Sequence, residues 1–287
     1  MRARTKFNGW SSLAISACSA ALLAAGCSSS GPKAVTIPAA RTFKLVGFSP
    51  VRAMPNRPTA ISFTIQQPSG KPLTDYRRGA GPHTGVHLII VKSDLSAIIH
   101  QHPPVGPNGR LDQPVTFPSP GRYRVIVDAY PNLTGVYRNF QLFSSIRVAG
   151  ATRAQPLPQY HPSVDVGGYR FTIQGKPRLK AIEAALMTVR VTDPNGRPAQ
   201  FTPWFGALAH AIFFRRGSLD YFHTHVCSPG ATGCSSILGG TSVTGNSVRP
   251  GKLTVGVLVP LAGTWRLFLQ CKVNGHILTA PFTLAVS

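Results

Sequence analysis

Acidic residues are what this chain has least of. It carries eight Asp and Glu in 287 residues, and Glu183 is its single glutamate. Paired-carboxylate hydrolysis, EF-hand calcium binding and multi-carboxylate magnesium chemistry are therefore poorly supplied. No Walker loop, GxGxxG turn or GxSxG elbow occurs, which removes the common nucleotide-binding and α/β-hydrolase readings. Beyond Met1 there are only Met54 and Met187, too few for a methionine-rich Cu(I) carrier. Charged residues amount to 13%, too little for long solvated helices. Glycine (28) and proline (26) are plentiful, and 43% hydrophobic content can fill real cores. The mixture predicts an all-β chain of about two domains with many turns. It predicts no enzyme, since a Cys–His nucleophile here would lack any orienting pattern.

The first residues read as an address. Arg2, Arg4 and Lys6 precede an apolar stretch running from about residue 10 to 26, too short for a comfortable membrane span. It ends Leu22-Leu23-Ala24-Ala25-Gly26-Cys27, followed by Ser28-Ser29-Ser30-Gly31-Pro32. This resembles a bacterial lipobox, which implies cleavage before Cys27 and lipid attachment to its thiol. Residues 1–27 are then a lipoprotein signal peptide and 28–40 a flexible tether. The protein would be anchored in a bilayer through Cys27, on the extracytoplasmic side of the bacterial envelope.

Formal net charge is +22, and +19 without the first 27 residues. Such a balance favours anionic headgroups, envelope polymers or nucleic acid as partners, or serves as scattered solubilising charge. Nucleic acid is disfavoured, because no Lys/Arg-dense helix or aromatic RNA-binding motif is present.

The strongest internal signal is a duplication. Phe63-Thr-Ile-Gln-Gln-Pro68-Ser-Gly70 matches Val189-Arg-Val-Thr-Asp-Pro194-Asn-Gly196, and Pro118-Ser-Pro-Gly121-Arg-Tyr123-Arg matches Pro260-Leu-Ala-Gly263-Thr-Trp265-Arg. Between these blocks, His87-x12-His100-x-His102 matches His210-x12-His223-x-His225. Each copy reads as short β segments separated by turn sequences. Two tandem immunoglobulin-like antiparallel sandwiches are expected, over 41–150 and 164–287, joined by a Pro-rich linker at 151–163. Only 179–187 hints at a helical turn.

The histidines follow a geometry. Residues i and i+2 share a strand face, so His100 and His102 project together, as do His223 and His225. An even hairpin centred on Ser93-Asp94 would oppose His87 to His100. One centred on Arg216-Gly217 would oppose His210 to His223. His276, in the turn after a strand expected to lie beside His210, joins the second set, and His83 joins the first. The expectation is two sites, His83/His87/His100/His102 and His210/His223/His225/His276. Imidazole sets of this size suit Cu(II) or Zn(II), although the strong positive charge repels cations. His161 lies in the linker and receives no role.

Cys227, Cys234 and Cys271 remain after Cys27, all in the second copy and in an oxidising setting. A Cys227–Cys234 disulfide closing an inserted loop is expected. Cys271 is then a buried apolar residue or a soft ligand beside the histidines, and its bridging to Cys227 or Cys234 stays open.

At 87–102, 121–127, 210–225 and 263–281 the sequence resembles bacterial secreted or lipidated, immunoglobulin-like, histidine-containing envelope proteins related to the YtkA-like family. That group is associated with heavy-metal or copper handling, so the resemblance implies the sandwich fold and a metal role. The proline after His-x-His is present as Pro103, whereas the second copy has Val226-Cys227. The resulting expectation is a non-catalytic envelope lipoprotein binding copper or zinc. The alternative is a structural or adhesion-like lipoprotein that binds a protein or an anionic envelope polymer without metal.

Overall fold

The computed structural model describes residues 42–78, 81–134, 139–153, 155–231, 237–238, 241–242 and 244–287. Residues 41–287 form one compact unit. The leader, the tether and Cys27 lie outside the described residues, as does Cys234.

In the first repeat the strands are β1 (Lys44–Ser49), β2 (Arg52–Ala53), β3 (Pro58–Gln66), β4 (Val86–Lys92), β5 (Ile98–Gln101), β6 (Arg110–Thr116), β7 (Gly121–Ala129) and β8 (Phe140–Val148). They form a three-stranded sheet, β1-β3-β6, and a five-stranded sheet, β2-β8-β7-β4-β5. Ile61, Phe63, Ile65 and Leu111 from one sheet bury against Leu88, Ile90, Tyr123, Val125 and Val127 from the other. That two-layer core is the immunoglobulin-like sandwich expected from the strand pattern.

The second repeat contains β9 (Ser163–Val166), β10 (Tyr169–Ile173), β11 (Ala185–Thr192), β12 (Phe201–Thr202), β13 (Ala209–Arg215) and β14 (Tyr221–Cys227). After these come β15 (Ile237–Leu238), β16 (Thr241–Ser242), β17 (Gly245–Arg249), β18 (Lys252–Val257), β19 (Gly263–Val273) and β20 (His276–Val286). A parallel pairing of β14 with β17 joins its layers, giving ten hydrogen-bonded strands around one core built on Phe171, Val189, Phe213, Val255, Trp265 and Leu267.

No α-helix occurs among the described residues, so the helical turn expected at 179–187 is a correction. Ala181 and Ile182 form a turn leading into β11, whose alternating burial over Ala185–Thr192 is a strand signature. The strand β6 was not expected, because Pro114 interrupts its pattern. It is tolerated here because β6 is an edge strand pairing with β3 alone.

Strands β4 and β13 explain why the repeats are not independent. In β4, Leu88 and Ile90 face the first core, while Ile89 and Val91 belong to a third apolar cluster. In β13, Ala209, Ala211 and Phe213 face the second core, while Ile212 and Phe214 belong to that same third cluster. Leu95 and Ile126 from the first repeat and Phe268 from the second complete it. The outer faces of the two sandwiches therefore pack on each other. Both strands are buried on both sides, and neither alternates apolar with polar residues along its length.

The hairpins carry a second correction. His100 pairs with Ile89 rather than His87, and His223 with Ile212 rather than His210. Each loop has four residues: Lys92 N–H donates to the Ala97 carbonyl at 2.9 Å, and Arg215 N–H to the Asp220 carbonyl at 3.0 Å. Asp94 draws the first loop tight by accepting from the Ser96 N–H and hydroxyl, and Leu95 turns left-handed at φ 62°. Leu219 does the same in the second loop at φ 58°. A shift of two positions preserves which face each side chain occupies.

Candidate metal centre between the repeats

Alternation along each strand places His87 on the face of Ile89, and His210 on the face of Ile212. His100 and His223 lie directly across from those two isoleucines, on the same faces. The apolar contact between repeats therefore continues, at one end, into histidines. What the sequence suggests as two sites is one cluster.

Seven imidazoles meet there. His87 stacks on His102 with centroids 4.3 Å apart, and His100 lies 5.1 Å from His102. His210 pairs with His225 at 4.9 Å, and His223 with His225 at 4.4 Å. Contacts between repeats are just as close: His100 to His210 at 4.9 Å, His87 to His223 at 5.1 Å, and His100 to His223 at 5.4 Å. His83, expected with the first set, sits edge-on to His225 of the second at 4.6 Å. Its Nδ1 is 3.4 Å from the Tyr130 hydroxyl.

His276 is a correction. It starts β20 opposite Val273, exposed, and makes no ring contact with the cluster. In β19 it is Gln270, on the face of Phe268, that reaches the histidines. Cys271, one residue on, points into the second repeat's core, so it cannot be a soft ligand. It is a free thiol, and burial pushes its pKa up to about 12. Cys227 is disulfide-bonded.

Hydrogen bonds orient the rings. His87 Nε2–H donates to the Pro82 carbonyl at 2.8 Å, and His210 Nε2–H to the Trp204 carbonyl at 2.9 Å. His100 Nδ1–H donates to Gln270 Oε1 at 3.1 Å, while Gln270 Nε2 donates to Thr279 Oγ1 at 3.0 Å. Each such acceptor leaves the other ring nitrogen as a lone pair turned into the cluster. Among the described residues, His87 Nδ1, His223 Nδ1 and both nitrogens of His225 are buried without a hydrogen-bond partner. Ligand atoms of His87, His100 and His223 lie within 4.8 Å of one another, and so do those of His210, His223 and His225.

These rings are neutral at physiological pH. Burial, followed by repulsion from neighbouring histidines, holds His87, His100, His223 and His225 well below the usual imidazole range. Burial lowers His102 to about 3 and His210 to about 4, and it also lowers His83. A neutral lone pair is the form that coordinates a metal, so the cluster presents no fixed positive charge of its own.

Sequence reasoning missed several residues. Asp128 is paired with His87 across β7 and β4, and Oδ2 lies 3.9 Å from His87 Nδ1. It accepts from Asn139 at 2.9 Å and from the Tyr221 hydroxyl at 3.5 Å, and burial raises its pKa to about 7. A lone carboxylate inside the apolar run Val125-Ile-Val-Asp128-Ala was a usable signal. Trp204 and Phe205 close the cluster from the turn before β13. Phe205 stacks on His102 at 3.8 Å, and Trp204 meets His210 at 5.1 Å. No pattern in the sequence separates these two aromatics from core residues.

Fold and site together define a tandem β-sandwich protein whose repeats bury a shared imidazole cluster. The chain belongs to the family described as domain of unknown function (DUF8832), whose model matches residues 43–150 and again 163–287. No YtkA-like or heavy-metal-associated family is shown by the comparisons. No curated protein matches the chain. Among solved structures it is similar to FdeC, an Escherichia coli adhesin, at 12% identity and TM-score 0.28, covering 86% of this chain and 65% of that one. It is similar to InvD of Yersinia pseudotuberculosis at 13% identity and TM-score 0.26, covering 86% and 57%. Invasin, a bacterial integrin-binding protein, matches at 14% identity and TM-score 0.23, covering 86% and 39%. The chain thus spans less than two thirds of each of these proteins. Likeness at this level carries no argument. No helix among the described residues is long and apolar enough to cross a membrane.

Proposed function

We propose that the protein is a non-catalytic envelope lipoprotein that binds a transition-metal ion, Cu(II) or Zn(II), through histidines of both repeats. The observation that carries this is the pair of neutral imidazole triads, His87/His100/His223 and His210/His223/His225, each with its ligand atoms within 4.8 Å of one another. Leaving buried polar atoms unpaired costs roughly 1–3 kcal/mol each, so an ion that ligates His87 Nδ1, His223 Nδ1 and His225 would remove that cost. The anchoring of His87 and His210 on backbone carbonyls is the outer support that metal-binding histidines use to fix their free nitrogen. An all-nitrogen set without thiolate favours Cu(II) or Zn(II) over Cu(I). The lipid anchor at Cys27 rests on the leader pattern alone.

Calorimetric titration of the chain from residue 28 onward with Cu(II) and with Zn(II) tests the reading. Tight binding that His223→Ala weakens is expected. Absence of binding by either ion, with the protein folded, rejects it.

A second reading is the adhesion-like lipoprotein that captures an anionic envelope polymer. One feature favours it: a cleft of about 410 Å³ lined by Ser93, Arg122, Arg124, Phe143, Ser144 and Ser145. The Arg124 guanidinium lies over Phe143 at 4.4 Å, and its Nε has no hydrogen-bond partner among the described residues. Salt-dependent retention on an anionic polymer, lost in Arg122→Ala with Arg124→Ala and indifferent to metal, would favour this reading over the first.

A further inference from the structure

The two histidine triads share one member, His223, and hydrogen bonds fix which nitrogen of His87, His100 and His210 carries the lone pair. In the first triad, the Pro82 carbonyl holds the His87 proton on Nε2, which leaves Nδ1, and Gln270 holds the His100 proton on Nδ1, which leaves Nε2. In the second triad, the Trp204 carbonyl leaves His210 Nδ1, which lies 3.3 Å from His223 Nε2, and His225 has no partner on either nitrogen. His223 Nδ1, on the other side of its ring, is buried and partnerless. One further imidazole stands beside each triad. His102 lies 3.2 Å from His100 between the facing Nε2 atoms, and His83 lies edge-on to His225.

Resting on the metal-binding reading above, we propose that the cluster holds two divalent ions bridged by the His223 ring. One ion takes His87, His100 and His102 with one nitrogen of His223. The other takes His210, His225 and His83 with the second nitrogen. Seven rings then supply four nitrogens to each ion, which is the number a closed imidazole site needs. Occupying both nitrogens of His223 requires its ring N–H proton to leave for solvent, so loading the second ion releases one proton. Metal–nitrogen bonds of about 2 Å on opposite sides of one ring put the ions roughly 6 Å apart. Asp128, 3.9 Å from His87 Nδ1, is the acid beside the cluster; as a carboxylate it offsets their charge, and any proton it still carries leaves to solvent with the binding of the first ion, apart from that of His223.

The experiment is a Cu(II) titration of the chain from residue 28 onward, followed by electron paramagnetic resonance. Uptake of two equivalents is expected, with the signal of the first lost as the second couples to it, and with one proton released at that step. His87→Ala and His225→Ala should each retain one uncoupled ion. His223→Ala should abolish the coupling and weaken both ions by at least about tenfold. The wild-type stoichiometry and spin count decide the question even if a variant fails to fold. Uptake of one equivalent, weakened by both His87→Ala and His225→Ala, overturns the two-ion arrangement and leaves the metal-binding reading standing. Two uncoupled equivalents overturn the bridge. No uptake of Cu(II) or Zn(II) overturns both.

Discussion

The two repeats place equivalent strands at the same interface and equip them differently. Opposite His87 the first repeat has Asp128, whereas opposite His210 the second has Gln270. The first fixes its leading histidine on the carbonyl of Pro82, and the second on that of Trp204, within a Trp-Phe turn that also covers His102. The His-x12-His-x-His residues and the faces they occupy are held in common, while the groups around them differ, and His83 joins the cluster from the first repeat alone. Neither repeat completes the cluster alone. His223 needs His87 and His100 from the first repeat to form one of its triads.

The largest expected effect separates the cluster from everything around it. The lowered histidines must stay neutral in the folded chain, while in the unfolded chain each takes up a proton near pH 6.5. Stability is therefore complete above about pH 6.5 and falls by roughly 1.4 kcal/mol per pH unit for each such histidine as pH drops toward 4. With several acting together, the metal-free protein should unfold by about pH 4–5, a span that exceeds an ordinary reserve of 5–15 kcal/mol. Circular dichroism across pH 8 to 4 reads this out, and a fold unchanged at pH 4 would contradict it.

A second break acts on the shared apolar contact. Phe214→Ala should cost about 3–5 kcal/mol in urea unfolding, because the ring is fully buried between the repeats. A cost below about 1 kcal/mol would mean that the interface does not hold.

Exchanging the differing pair sharpens the comparison. Ionisation of the buried Asp128 is a cost that grows as pH rises from about 3.8 to about 7, since its folded pKa is raised. Asp128→Asn should therefore gain stability relative to wild type between pH 5 and pH 8. Gln270→Glu should create the same upward sensitivity in the second repeat. Parallel urea curves for these variants at both pH values would argue against a buried, neutral Asp128.

The smallest effect belongs to His276→Ala. Exposed and outside the ring contacts, it should leave stability within about 0.5 kcal/mol and metal uptake unchanged. Weakened uptake would return His276 to the ligand set.

Much of this was legible in the sequence. The i, i+2 histidines share faces as alternation dictates, and the duplicated blocks mark equivalent strands. The register was missed by two positions because side-chain hydrogen bonds from Asp94 and a left-handed Leu95 lengthen the turn, which strand patterning does not encode. The strand β6 hid behind Pro114. The merging of the two sites was legible in principle. Val86–Lys92 and Ala209–Arg215 lack the polar alternation of a strand with one wet face, which demands a second layer on the outside. Where that layer comes from is a tertiary fact: it is the other repeat.

Proton NMR of the imidazole resonances under substoichiometric Cu(II) addresses the shared site most directly. If histidines of both repeats surround the ion, signals from His87 and His100 should broaden together with those from His223 and His225, at the same added fraction of copper. Broadening confined to one repeat, with the other's signals sharp to full saturation, would contradict a site built from both.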